Sequence, residues 1–299
     1  IKINYVDEVE AIPLAFRGID SDEEKLSTLN SQLSTLVVYT PAIPADNKQY
    51  RFFVDNGFKM MKRAAVLGEI TRLERGLCIA GTHGKTTTST MTAHILKQSH
   101  VDCNAFLGGI SKNYGTNLLL SDNSAYVVIE ADEFDRSFHW LSPYATIITS
   151  TDADHLDIYV TEEAYLESFN HYTSLIQSGG SLVIREGIRL QPRLQEGVRL
   201  YTYSSESGDF HAEKVRIGGG EIVFDYVSPL GNISDVQLGV PVAINIENGI
   251  AAINAHTNLD QVAGGVNDCL AARLGLSGTE VVEPEGEDAN GNPWGLLRA

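Results

Sequence analysis

Within Gly81-Thr82-His83-Gly84-Lys85-Thr86-Thr87-Thr88, two glycines, a lysine and a run of hydroxyls stand in the order that phosphate binding asks for. Gly81 and Gly84 let the main chain come close to a phosphate, Lys85 can place a point charge on its oxygens, and the Thr86 hydroxyl suits a magnesium ion. His83 sits inside the run, where it either contacts nucleotide or only shapes the loop. Two acid clusters follow: Glu130, Asp132, Glu133 and Asp135, then Asp152, Asp154, His155 and Asp157. Bringing a second anion against a triphosphate requires magnesium and hard oxygen ligands. Glu130 is well placed to share such an ion with Thr86, and His155 could ligate a second one through a ring nitrogen, although histidine is an unusual choice for magnesium. The competing readings are an incidental glycine-rich turn for the loop, whose position five before Gly84 is Ile79 rather than glycine, and solvated faces for the acid clusters.

Elements must position these groups. A short apolar run, Leu77 to Ala80, enters the loop and a helix-compatible stretch, Ser89 to Lys97, leaves it, so free N–H groups of the loop and helix start converge on one spot. Ala125 to Ile129 and Ala145 to Ile148 read as strands covered on both faces, and each ends in one of the acid clusters. At the carboxyl ends of strands in an open α/β sheet, ligand groups gather. Upstream, Thr35 to Tyr39 is a strand stopped by Pro41 and Pro44, Asn47 to Asn56 a helix with Tyr50, Phe53 and Val54 inward, and Phe58 to Met61 another strand. Such a series means a parallel α/β layer. Downstream, Thr161 caps a helix to Ser178 whose Tyr165, Phe169, Tyr172 and Ile176 form a core stripe. Leu182 to Ile184 and Leu200 to Tyr203 read as strands. Ala212 to Ile217, Glu221 to Tyr226 and Ile233 to Leu238 then form an antiparallel patch. Asn245 and Asn248 open a small-residue helix, either as caps or as readers of a base edge.

Composition narrows the function classes. A chain of 299 residues with 43% apolar residues can bury two cores. The net charge of -17 argues against a nucleic-acid partner. No apolar run approaches the ~18 residues that span a bilayer, and the start has no leader-like pattern, so no membrane insertion is expected. Three widely spaced cysteines, Cys78, Cys103 and Cys269, fit a reduced cytoplasmic setting.

GTHGKTTT, then EADEFDRSFHWLSP, TDADHLDIY and NIENGIAA, in that order, resemble the central domain of the Mur ligases. YTPAIPADN through KRAAVLGEIT is similar to the end of that family's UDP-binding domain, and GGISKNYGTN to its substrate-facing loop. The resemblance implies residues 1–75 as a partial, Rossmann-like UDP-binding domain and 76–260 as an ATP-binding P-loop domain with a mostly parallel sheet and a small antiparallel patch. Residues 261–299 stay an unassigned tail, with no recognisable C-terminal domain, and the family's glycine-rich UDP turn is expected to lie before residue 1. The activity implied is an ATP-dependent carbon–nitrogen ligase of bacterial peptidoglycan synthesis, joining L-alanine to UDP-N-acetylmuramate through an acyl phosphate. A sibling that attaches a recycled tripeptide, or a nucleotide-binding module without ligation, are the alternatives. Carried over by position, Gly81, Thr82, His83, Gly84, Lys85, Thr86 and Thr87 hold ATP, Thr86 with Glu130 one Mg2+, and His155 a second. Asn245 and Asn248 lie on the adenine side, and Thr116 and Asn117 toward the muramoyl substrate. Lys85, Glu130 and His155 are the catalytic set.

Overall fold

The computed structural model describes residues 7–17, 35–152, 156–229, 231–239, 242–257, 280–287 and 293–298. The chain divides into two compact units, Ile1–Glu69 and Ile70–Ala299. In the first, a one-turn helix α1 (Leu14–Arg17) precedes β1 (Leu36–Tyr39), α2 (Lys48–Asp55) and β2 (Lys59–Lys62), with β1 and β2 parallel. Asn47 caps α2 by accepting from Tyr50 N–H at 2.9 Å. Tyr50 meets Tyr39 edge-on at 5.4 Å and Phe53 meets Phe58 at 5.1 Å. Val54, expected inward, is 47% exposed. Val54 lies about 100° round the helix from Phe53 but only about 40° from Tyr50, which puts it at the edge of the covered face. Helix α3 (Arg63–Leu73) ends this stretch.

The second unit is a sheet of seven strands in the order β5-β4-β6-β3-β7-β8-β9. These strands are β3 (Arg75–Ala80), β4 (Asn104–Ser111), β5 (Thr116–Leu119), β6 (Tyr126–Glu130), β7 (Ala145–Ile148), β8 (Ser181–Arg185) and β9 (Arg199–Tyr203). All neighbours run parallel except β5, which pairs antiparallel with β4. Central strands β3, β6 and β7 are buried along almost their whole length, which is why they read as continuous apolar runs. Each fully buried isoleucine or valine there contributes about 1.5–3 kcal/mol. Strands β4 and β5 occupy the stretch that resembles a substrate-facing loop, and Thr116 and Asn117 lie on β5.

Helix α4 (Lys85–Gln98) starts four residues earlier than its most helix-like residues, taking three threonines into its first turn. It packs on α7 (Ile244–Thr257) through small side chains, with Ala93, Ala251 and Ala255 in one cluster. On the other side, α5 (Leu156–Tyr159) precedes α6 (Glu162–Thr173), capped by the Thr161 hydroxyl, which accepts from Ala164 N–H at 3.1 Å. The α6 stripe Tyr165, Phe169 and Tyr172 is fully buried. The helix ends at Thr173 rather than Ser178, because Gln177 turns to bond Pro143 O through its main chain and Ser142 O through its side chain. Ile176 is buried all the same. Strands β10 (His211–Gly218), β11 (Glu221–Val227) and β12 (Ile233–Leu238) form the antiparallel sheet. Only β11 presents a buried face throughout. From Glu213 to Gly218, β10 extends past the core and is exposed. Strands β13 (Glu280–Glu287) and β14 (Pro293–Arg298) pair antiparallel with each other.

Candidate functional site: a phosphate loop at the carboxyl edge

Register brings the pieces together. Ile79 on β3 pairs with Glu130 on β6, and Ala80 with Ile148 on β7, so the loop after β3 emerges between the two acid-bearing strand ends. Gly81 (φ 131°) and Gly84 (φ 82°) make the turn. A Cβ on Gly81 would lie 2.3 Å from Thr149 Oγ1 and 2.8 Å from Ser150 N, which leaves glycine as the residue that fits. The loop is braced from beneath by residues just past β7. Ser150 O accepts from Thr82 N–H at 3.2 Å and Ser150 Oγ from His83 N–H at 2.8 Å. Thr82 gives its one hydroxyl proton to Asp152 O at 2.7 Å, so Tyr165 OH, 2.8 Å away, donates to it from α6. His83 points outward, its Nε2 3.9 Å from the exposed Asp152 carboxylate.

Gly84 caps α4 without a side chain, and the helix has no acidic residue in its first turn. The positive end of the helix is thus left for an anion from outside. Lys85 Nζ donates to Gly81 O at 2.6 Å and meets both oxygens of Glu133, at 3.0 and 2.9 Å. Burial pushes the Glu133 carboxyl above its ordinary range, and the Lys85 hydrogen bond and charge pull it back. Thr86 Oγ1 donates to Glu130 Oε1 at 3.0 Å, and Gly108 N–H donates to Glu130 Oε2 at 3.0 Å. Gly108 is glycine for a reason of space: a Cβ would come within 2.2 Å of Glu130 Oε2.

Thr86 and Glu130 thus offer two adjacent hard oxygens, which fits magnesium, an ion that uses one or two protein ligands and completes its shell with water and phosphate. Among the described residues no group of three or more His, Cys, Asp or Glu forms a closed metal cage. His155 lies outside the described residues. Asn248, buried in the first turns of α7, accepts from Thr88 Oγ1 at 3.4 Å and donates to Asn245 Oδ1 at 3.1 Å. Its Oδ1 stands 3.0 Å from where a Gly84 Cβ would be, so Asn248 sits against the loop, and Asn245 reaches it through Asn248. Thr87 is exposed on the first turn of α4. Thr116 and Asn117 are apart from this group, three strands from β3 at the sheet edge. A polar cleft of about 420 Å³ opens beside the loop between the ends of β7 and β8, where Arg189 pairs with Glu162.

Glu133, Gly108, Tyr165 and Ser150 were not singled out as site residues from the sequence. Two signals were available: Glu133 belongs to the acid cluster, and Gly108 interrupts an otherwise strand-like FLGGIS. No helix among the described residues is long and apolar enough to cross a membrane.

Comparisons with known proteins bear on the family and the fold. The Mur ligase middle domain model matches residues 79–256, and a second model, Duf34/NIF3 (NGG1p interacting factor 3), matches residues 228–297. The chain is 67% identical over 251 residues to a UDP-N-acetylmuramate–L-alanine ligase of Phocaeicola vulgatus, and 60% identical over 252 residues to one of Parabacteroides distasonis. Each match covers 84% of this chain and 52% of the relative, so the chain spans about half their length. Among solved structures, the UDP-N-acetylmuramate–alanine ligase of Thermotoga maritima superposes with a TM-score of 0.64 at 24% identity, covering 86% of this chain and 58% of that one. A UDP-N-acetylmuramate:L-alanyl-γ-D-glutamyl-meso-diaminopimelate ligase from Neisseria meningitides gives 0.62 at 21% identity, covering 74% and 72%. Residues 228–256, covered by both models, include β12 and α7, which pack on each other, and α7 also packs on α4. With the family model spanning more than half of its residues and the fold of these ligases around its loop, the chain belongs to the Mur ligases through their middle domain.

Proposed function

We propose that this chain is the ATP-binding centre of a bacterial, cytoplasmic enzyme that ligates L-alanine to UDP-N-acetylmuramate in peptidoglycan synthesis. Residues 1–75 belong on this reading to the UDP-binding domain and 76–260 to the middle domain. Residues 261–299 lie outside both, and the Duf34/NIF3 model covers them as far as residue 297. The observation that carries the proposal is a Lys85–Thr86–Glu130 constellation at a helix N-terminus, in a chain 67% identical over 251 residues to a ligase of that name. In the proposed reaction the lactyl carboxylate attacks the γ-phosphorus of ATP and ADP leaves. The amine of L-alanine then displaces phosphate from the acyl carbon.

Phosphoryl transfer asks the protein for alignment and charge stabilisation more than for covalent help. The loop N–H groups and Lys85 bind phosphate, and Thr86 with Glu130 hold magnesium, which when bound neutralises phosphate charge. His155 serves a second magnesium, Asn245 and Asn248 the adenine side, and Thr116 and Asn117 the muramoyl substrate. The excess of acidic residues leaves nucleic acid outside the set of partners.

A coupled assay of ADP release in the protein carrying this chain tests the reading, with UDP-N-acetylmuramate and either L-alanine or the L-Ala-D-Glu-diaminopimelate tripeptide. Turnover requiring L-alanine is expected, and turnover with the tripeptide alone would transfer the chain to the sibling activity.

A further inference from the structure

An ammonium has three N–H donors, and each of those on Lys85 finds an acceptor in the protein. Gly81 O lies 2.6 Å from Nζ, Thr82 O 3.4 Å, and the Glu133 oxygens 3.0 and 2.9 Å. The two carbonyls belong to the loop itself, within reach of any lysine at this position. The carboxylate comes from another strand end and is 1% exposed. Its main chain is held firmly: the Glu133 carbonyl accepts from Arg136 N–H at 3.0 Å and from the hydroxyl of buried Tyr159. Behind it, Ser168 Oγ donates to Tyr159 OH at 3.4 Å, and the Arg136 guanidinium lies 5.0 Å over the Tyr159 ring. Asp135 and Arg136, at φ 50° and 53°, take a left-handed conformation that residues with a Cβ rarely adopt. The segment after Glu130 is therefore over-determined by packing, and it carries Glu133 under the loop.

We propose that Glu133 is a positioning residue for the phosphate-binding lysine: a buried, anchored carboxylate that aims Lys85 along the loop before nucleotide arrives. The proposal rests on the reading of the loop as an ATP phosphate site. Lysine is a flexible stem with a compact charge, so its orientation must be supplied by its surroundings. A neutral carbonyl is a weaker partner for an ammonium than a charged phosphate oxygen. The contacts to Gly81 and Thr82 are thus the exchangeable ones, and Glu133 keeps hold of the charge while they exchange. A site organised in advance avoids that ordering cost during binding.

Calorimetry on the full chain with Mg-ATP, ADP and adenosine tests this, beside thermal melts. Lys85→Met should weaken ATP about a hundredfold, on the scale of losing one preorganised electrostatic group. Glu133→Gln, which keeps the size and removes the charge, should weaken ATP and ADP about tenfold and leave adenosine unchanged, with partial recovery in Glu133→Asp. Because Lys85→Met strands a buried carboxylate, the double variant Lys85→Met/Glu133→Gln serves as its folded counterpart and should bind no worse than Lys85→Met. Glu163→Gln, the same change on the exposed start of α6, is the control. Parent-like ATP affinity in Glu133→Gln, with ATP lost in the double variant, overturns the proposal and leaves the loop reading standing. Equal weakening of ATP and adenosine by Glu133→Gln also overturns it, as a merely structural effect. Parent-like ATP affinity in the double variant overturns the loop reading itself.

Discussion

At its N-terminus helix α4 carries Lys85 against Glu133, and at its C-terminus Lys97 against Asp102, 2.5 Å apart. The C-terminal end is closed on itself. Ser99 N–H reaches the Ile95 and Leu96 carbonyls, Ser99 Oγ donates to Leu96 O at 2.8 Å, and Lys97 also donates to Leu120 O at 2.8 Å. Asp102 turns the chain at φ 55° and accepts from Cys103 N–H at 2.8 Å. At the N-terminal end the cap is a bare glycine, the charge pair is buried below the loop, and the helix dipole faces outward without an acidic residue in the first turn. A lysine–carboxylate pair thus stands at each end, but it closes the helix at one and leaves the helix start open at the other. What differs is whether the helix's own polar groups have been satisfied locally.

That contrast can be broken most directly by removing each lysine. Lys85→Met leaves Glu133 buried without its cation and should cost about 3–5 kcal/mol, whereas Lys97→Met removes one partner of a partly exposed pair and should cost about 1 kcal/mol or less. Chemical denaturation of both variants checks this; equal losses would mean the two pairs are equivalent. Adding Glu133→Gln to Lys85→Met should return most of the lost stability.

A second test addresses the turn that holds the buried pair. Gly81→Ala should lose about 2–3 kcal/mol, since its Cβ strikes Thr149 and the Ser150 main chain, while Gly115→Ala, with a positive φ but open space, should lose about 1 kcal/mol. Matching melting temperatures would show that the loop yields. Tyr165→Phe, which removes the donor to Thr82, should cost only about 1 kcal/mol by the same melts.

The finest distinction is the sign of the pH dependence. Burial acts to raise Asp102, but hydrogen bonds from Lys97, Ser121 and the Cys103 N–H outweigh it and hold the carboxyl below its usual 3.8. The unfolded chain then binds the extra proton, so the contribution of Asp102 is present above that value and is lost as pH falls through the folded one. Glu133 is opposite. Burial raises it above its usual 4.5, so its contribution is present below that value and is lost as pH rises through the folded one. The stability difference between parent and Asp102→Asn should therefore grow with pH in the acid range. Between parent and Glu133→Gln it should shrink with rising pH above 4.5. Parallel slopes would remove the distinction between the two ends.

Much of this was legible in the residues in order. The strand before the loop, the helix after it, the apolar runs ending in acid, the Thr161 cap and the aromatic stripe of α6 all depend on neighbours within a few positions, and local spacing reports those well. The order GTHGKTTT likewise specified a glycine turn that opens a helix, because its glycines and the residues after them act within one turn. Tertiary structure supplied the contacts themselves, including the Glu133–Lys85 pair that the sequence did not single out. Glu130 faces Thr86 and Glu133 faces Lys85 because β6 lies beside β3 with Glu130 level with Ile79, a register that no spacing along the chain encodes. It also decided that Gly108 must stay bare for Glu130, that Tyr165 reaches across to Thr82, and that Val54 faces outward. The reason is physical: periodicity marks a side chain as inward or outward on its own element, whereas strand order and packing, set by the whole core, choose the partner that it meets.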